Sequence, residues 1–137
     1  FPINVSGLRQ VFKSLERNEL LVFLPDQVPD YGARGFIGTF FGHDAYTSDL
    51  VHRVISKYDS EIVFGLVMRD FSTGRVKYRI CFEKPASEIY SKDIEVHISS
   101  LNRSLERLVM KAPEQYQWSY KRYKRLNKSE KNIYRRQ

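Results

Sequence analysis

Asp26 ends a run of five apolar residues, Leu20 to Leu24, in the stretch Leu-Pro-Asp-Gln, and Arg69 ends a second run, Ile62 to Met68. Apolar runs of this length read as buried strands. A carboxylate or guanidinium at the end of one must be solvated, paired or put to use, because burying it alone is costly. In α/β sheets the crevice beyond the strand ends is where ligands bind, so Asp26 and Arg69 are candidates for one cleft. A structural ion pair or a capped turn accounts for the same spacing.

His43 stands beside Asp44 in His-Asp-Ala-Tyr-Thr-Ser-Asp, which suggests an acid–base pair. A catalytic histidine needs a carboxylate held against its second ring nitrogen, and adjacency in sequence does not supply that. A surface or structural role is therefore the reading for His43, and for His52 and His97 on their helices. These histidines and the single Cys81 lack metal-ligand spacing, so no zinc or iron site and no cofactor is expected. From Ala112, the stretch Ala-Pro-Glu-Gln-Tyr-Gln-Trp-Ser-Tyr-Lys-Arg-Tyr-Lys-Arg interleaves aromatic with basic residues. Lys121, Arg122 and Lys124 are candidates for contact with lipid phosphates, the neighbouring rings for the headgroup zone. Core packing of Tyr116 and Trp118 is the rival reading.

The elements that must position these residues follow from periodicity. Leu8, Val11, Phe12 and Leu15 predict a helix ending near Asn18. Leu20 to Leu24 predicts a strand directly after it. The Pro- and Gly-rich stretch from Pro25 to Gly42 predicts a long loop with a short strand at Phe36 to Phe41, and such loops tend to carry function. Thr47 is placed to cap a helix whose buried stripe is Val51, Val54, Ile55 and Tyr58. Ile62 to Met68 predicts a central strand covered on both faces. After the turn at Phe71 to Arg75, alternation puts Val76, Tyr78, Ile80 and Phe82 on one face of a strand. Ile94, Ile98, Leu101, Leu105 and Leu108 predict a helix closed by Pro113. This order gives an α/β fold, a mixed sheet flanked by helices.

The chain has 137 residues, the size of one domain, with 42% hydrophobic residues to build a core. It shows no apolar run of transmembrane length and no signal peptide. It begins at Phe1 and not at a methionine, which leaves room for a longer natural chain. The net charge of +7 is not spread evenly. Residues 119–137 carry eight basic side chains against Glu130, so the body is neutral and the end holds the excess. A polyanionic surface is the implied neighbour, and a solvated tail is the bland alternative.

The motifs taken in order resemble the lipid A biosynthesis acyltransferases, the lauroyl and myristoyl transferase family. Gly7 to Glu19 resembles the helix before the family's Leu-Pro-Asp-Gln block, and Leu24 to Gln27 match that block. Phe40, Phe41, Gly42, Ala45 and Thr47 match its Phe-Phe-Gly-x-x-Ala-x-Thr segment. Ala112 to Tyr116 with Trp118, Arg122 and Lys124 match its C-terminal signature. The likeness runs from about Gly7 to Lys124. The family's catalytic histidine, followed after four residues by an acid, has no counterpart: position 48, five beyond His43, is Ser48. A proline usual in the strand before Arg69 is also absent, with Phe64 nearby, which leaves the shape of the acyl pocket open.

The resemblance implies the C-terminal half of an acyltransferase domain over residues 1–118, part of a glycerolipid-acyltransferase-like fold, followed by a basic aromatic arm over 119–137. The whole enzyme would move an acyl group from acyl carrier protein to a hydroxyl of a Kdo-bearing lipid A precursor, at the cytoplasmic face of the bacterial inner membrane. Asp26 and Gln27 would support the site, and Arg69, Thr47, Glu114 and Gln115 would contact substrate. This chain alone, lacking the base, is expected to be inactive and open to self-association through an uncovered sheet. The alternative is a non-catalytic module for anionic lipid or nucleic acid. Nucleic acid is not the expected partner, since no recognition fold is legible.

Overall fold

A computed structural model describes residues 5–30, 32–72, 74–124 and 134. Helix α1 spans Val5–Glu16 and stops before Asn18, whose positive φ of 56° ends the helical path. Strands β1 (Gly35–Phe40) and β2 (His43–Ser48) form an antiparallel hairpin and lead into α2 (Leu50–Lys57). Strands β3 (Phe64–Asp70) and β4 (Lys77–Glu83) form a second hairpin, and α3 (Ile94–Val109) follows a one-turn helix at Ser87–Tyr90.

Helices and strands mix as expected, but the described strands make two separate two-stranded antiparallel sheets, not one mixed sheet. The largest correction concerns Leu20 to Leu24, which is not a strand. Its alternation is real: Leu20, Val22 and Leu24 are 90%, 82% and 65% exposed, while Leu21 and Phe23 are half-buried. A strand also needs a neighbour to take its backbone hydrogen bonds, and this segment has none among the described residues. Residues 62–68 are likewise not a strand covered on both faces. Phe64 is buried, but Val63 and Val67 are exposed, because β3 packs on the core through one face; among the described residues it pairs with β4 alone.

The core lies between the two hairpins and α3, with Phe40, Ala45, Phe64, Leu101, Leu105 and Leu108 at its centre. Helix α3 packs so tightly under β1 that a Cβ at Gly38 would come 2.5 Å from the Ile98 Cγ2 methyl. Asp93 caps α3 by accepting a hydrogen bond from the Glu95 N–H. Thr47 caps nothing. It sits fully buried in β2, where its hydroxyl bonds Asn102 of α3 at 3.3 Å, and Asp49 precedes α2 instead.

His97 is also fully buried, and its Nδ1–H donates to the Ile89 carbonyl at 2.5 Å while Nε2 has no partner. Burial, chiefly, and then the nearby His52 ring hold its pKa below the ordinary value, against the opposing pull of the Ile89 bond. The unfolded state therefore binds a proton that the native state resists, and stability must fall as pH drops below about 6.5. Thermal unfolding followed from about pH 7.5 to 5.5 should show stability falling toward the acid end, and His97→Gln should flatten that dependence.

Candidate functional site

The segment from Pro113 to Tyr123 is a strap that ties three parts of the chain together. It begins as a one-turn helix at Pro113–Gln115, with Pro at a position where no backbone N–H is needed. The Gln115 side chain behaves like a strand neighbour: its Oε1 accepts from the Arg69 N–H at 2.7 Å and its Nε2 donates to the Arg69 carbonyl at 2.9 Å. The Tyr116 hydroxyl donates to Asp26 Oδ2 at 3.2 Å, and the Tyr120 hydroxyl accepts from the Val28 N–H at 2.7 Å. Leu24 to Val28 is thereby held by the strap at two points, although it has no sheet bonds among the described residues.

The strap's far end grips the β1–β2 hairpin. Arg122 is 2% exposed and donates to the Tyr46 carbonyl and to Thr47 Oγ1, both at 2.7 Å. Its guanidinium also lies 5.3 Å from the Phe40 ring centre. The Tyr123 hydroxyl donates to the Phe40 carbonyl at 3.1 Å. Arg122 thus parts company with Lys121 and Lys124, which are exposed. The expected contact of Arg122 with an external phosphate is replaced by an internal clasp, because both acceptors it reaches are inside the fold.

The hairpin's turn explains why the aromatic residues recur together. Phe41 and Gly42 both have positive φ, 48° and 76°, the mark of a type I′ two-residue turn. Glycine adopts that conformation freely, but phenylalanine there costs on the order of 1 kcal/mol. The surroundings hold Phe41 in place: its N–H donates to Glu106 Oε1 at 2.6 Å, and its ring meets Phe40 at 4.8 Å and Trp118 at 5.8 Å. Trp118 also contacts Tyr116 at 4.8 Å and donates to the Pro113 carbonyl at 2.7 Å.

Burial first, and then the Asp26 carboxylate, raise the Tyr116 pKa far above the ordinary range for a phenol. Tyr116 is therefore a hydroxyl donor to Asp26 and not a base. Burial pulls the Arg122 guanidinium down, opposed by Tyr116 and Asp26. A carboxylate held by a phenol, with a buried cation nearby, can orient a polar substrate group.

The sequence-level candidates are placed unevenly. Asp26, Gln115 and Thr47 all join this network. Gln27 and Glu114 are exposed, with the Gln27 N–H closing a turn to the Leu24 carbonyl. The Arg69 backbone is one residue from Tyr116 through Gln115, but its side chain is exposed and lies 6.0 Å from the Phe71 ring. Asp26 and Arg69 are thus linked by the strap and not by two strand ends. His43 is exposed against Tyr123, 5.8 Å between rings. Tyr116 packs on the core, whereas Trp118 is 56% exposed and rests on Tyr116 and Phe41 at its edge; the expected boundary at residue 118 falls within the strap. Much of the expected arm, 125–133 and 135–137, lies outside the described residues. Sequence reading missed Arg122 as a buried anchor and the strain at Phe41; a Phe-Gly pair between two short strands was the available signal for the latter. A surface hollow of about 390 Å³ beside Tyr58 and Tyr90 shares no residue with the network.

The family model for bacterial lipid A biosynthesis acyltransferase matches residues 3–125. The chain is 29% identical over 136 residues to a lipid A biosynthesis palmitoleoyltransferase of Escherichia coli (strain K12), covering 96% of this chain and 42% of that protein. A lipid A biosynthesis acyltransferase of Shigella flexneri gives the same values. Identity to a lipid A biosynthesis lauroyltransferase of Escherichia coli (strain K12) is 27% over 119 residues, 85% of this chain and 38% of that protein. The chain spans about two fifths of the length of the curated relatives it matches.

Proposed function

The chain belongs to the bacterial lipid A biosynthesis acyltransferase family, and we propose that it forms the C-terminal part of an enzyme that transfers a fatty acyl group from acyl carrier protein to a hydroxyl of a Kdo-bearing lipid A precursor. The fold would then be the corresponding part of a glycerolipid-acyltransferase-like domain. The observation that carries this reading is the strap: the blocks shared with the family, Leu24 to Gln27, Phe40 to Thr47 and Ala112 to Lys124, meet at Asp26, Tyr116 and Arg122.

In that reaction the acceptor hydroxyl attacks the thioester carbonyl, its proton passes to a general base, and the thiolate of the carrier leaves. General-base assistance contributes roughly 10² to 10⁴ in rate, and hydrogen-bond donors stabilise the tetrahedral oxyanion. None of His43, His52 and His97 is followed after four residues by an acid. The base in this reading comes from outside the 137 residues. Asp26, steadied by Tyr116, positions the acceptor, Gln27 offers a neighbouring hydrogen bond, and the exposed Arg69 guanidinium takes a phosphate. Acyl carrier protein enters as donor, and no cofactor is used. The place of action is the cytoplasmic face of the bacterial inner membrane. No helix among the described residues is long and apolar enough to cross it.

Transfer of labelled acyl groups from acyl carrier protein tests this reading in two arms. The chain alone should give no turnover. Joined to the unmatched part of the Escherichia coli palmitoleoyltransferase, it should restore transfer, and Asp26→Asn in that chimera should reduce it at least about tenfold. Turnover by the chain alone would place the base within it, and a folded but silent chimera would remove the acyltransferase reading.

A further inference from the structure

We propose that Leu20 to Leu24 becomes a strand by docking against a strand of a polypeptide equivalent to the part of the lipid A acyltransferases that this chain does not match. The run is apolar at every position, and its side chains alternate: Leu21 and Phe23 are half-buried, whereas Leu20, Val22 and Leu24 stand 90%, 82% and 65% exposed. An extended run with no polar face is built to be covered on both. Its backbone is equally unfinished. No N–H or carbonyl from Leu20 to Phe23 makes a hydrogen bond among the described residues, and the Leu24 carbonyl only closes the turn to Gln27. Open donors and acceptors along extended backbone are what an added strand pairs with. Both ends of the run are already fixed, by the Glu19 N–H on the Ser14 carbonyl at 3.0 Å and by Tyr116 on Asp26 at 3.2 Å, so docking has little left to order.

Length and charge select the occupant. The family match runs through this segment, and the chain covers 42% of the Escherichia coli palmitoleoyltransferase, so about three fifths of that protein is available to supply the neighbour. A second copy of this chain would offer the same five residues, and a lone two-stranded pair of that length is marginal in water. An anionic bilayer is opposed by charge. Glu16, Glu19 and Asp26 flank the run against Arg17 alone, which Glu19 holds at 2.6 Å, and hydrocarbon has nothing for the open backbone groups. The free edge of β3 is the rival place for an added strand. There the Gln115 amide already takes both backbone groups of Arg69, whereas Leu20 to Phe23 is unclaimed along its length among the described residues.

The partner's identity rests on the proposed function, but the test reads backbone protection without turnover. A silent chimera with a protected segment would remove the transfer reading alone, and an active chimera with an unprotected one would remove this inference alone. Amide hydrogen exchange is followed in the 137-residue chain and in its chimera with the unmatched part of the Escherichia coli palmitoleoyltransferase. Amides 20–23 should exchange freely in the chain and at least about tenfold more slowly in the chimera. Val22→Pro removes an N–H that no described residue accepts, so it should leave the thermal midpoint of the chain alone unchanged and abolish the protection, while Val22→Ile keeps it. If the chimera does not fold, the two parts co-expressed as separate polypeptides, with an affinity tag on the palmitoleoyltransferase part, should copurify, and Val22→Pro should cut recovery of the chain at least about tenfold. The proposal falls if the folded chimera exchanges these amides as fast as the chain, or, where the chimera is unfolded, if the co-expressed parts do not copurify. It falls equally if light scattering shows the chain alone to be a dimer with these amides protected, or if phosphatidylglycerol vesicles protect them in the chain alone.

Discussion

Arg122→Met should cost about 3 kcal/mol of folding free energy, a large share of what a domain of this size has to lose. The side chain makes two charge-assisted hydrogen bonds in a buried setting, to the Tyr46 carbonyl and the Thr47 hydroxyl, and each such bond contributes about 1.5–3 kcal/mol. Methionine fills most of the volume but leaves the Tyr46 carbonyl without its donor. Thr47 keeps Asn102, which limits the loss at that end. Relief from desolvating the guanidinium works in the opposite direction, and a buried charge replaced by an apolar group is at times neutral. That relief is fullest when every partner is replaced together, and here the acceptors and Asp26 remain. Arg122→Lys should recover less than half of the loss, since one ammonium cannot present the planar fork that reaches both acceptors. Urea unfolding checks this, with Lys121→Ala as the comparison, expected within about 0.5 kcal/mol of the parent. An unchanged midpoint for Arg122→Met would show that the clasp does not hold the hairpin to the strap.

The elements that sequence reveals best here are those whose signal is local. The stripe from Ile94 to Leu108 is a helix because its own period and the Asp93 cap decide it, and the β3–β4 hairpin announces itself by alternation and by Gly74 at its turn, whereas of the β1–β2 hairpin only a strand at Phe36 to Phe41 is legible. Leu20 to Leu24 carries the same alternation, yet whether it becomes a strand depends on a neighbour that its own residues cannot specify. Thr47 failed in another way. Threonine before a helical stripe is a good cap, but threonine is also a good strand residue, and the need of Asn102 and Arg122 for a buried hydroxyl decided the matter. For the candidate site, Asp26 was legible from its position after an apolar run, and its partner Tyr116 was not, since they lie 90 residues apart. Arg122 was hidden by company. Within a run of basic residues every side chain looks solvated, and only the tyrosines at 116, 120 and 123, all facing inward from the strap, mark which part of the run is packed.

Phe40→Ala should be the most damaging single change, at about 3–5 kcal/mol. The ring is 1% exposed in the central cluster and lies against Phe41, Tyr116 and Tyr123, with centroids 4.8, 6.4 and 6.4 Å away. Removing it opens a cavity whose walls come from the hairpin, the strap and α3, elements too firmly tied to close over it. The same ring faces the Arg122 guanidinium, so the two substitutions should not add. A double-mutant cycle of Phe40→Ala and Arg122→Met should return a coupling of about 1 kcal/mol or more, because each change removes part of what the other side chain touched. Simple additivity would mean that core and clasp are independent, and that the hairpin turn at Phe41 could hold its strained conformation without the strap. Coupling, by contrast, ties the packing of Phe40 to the placement of Tyr116 and hence of Asp26, so a defect in the core would reach the candidate site through a single ring.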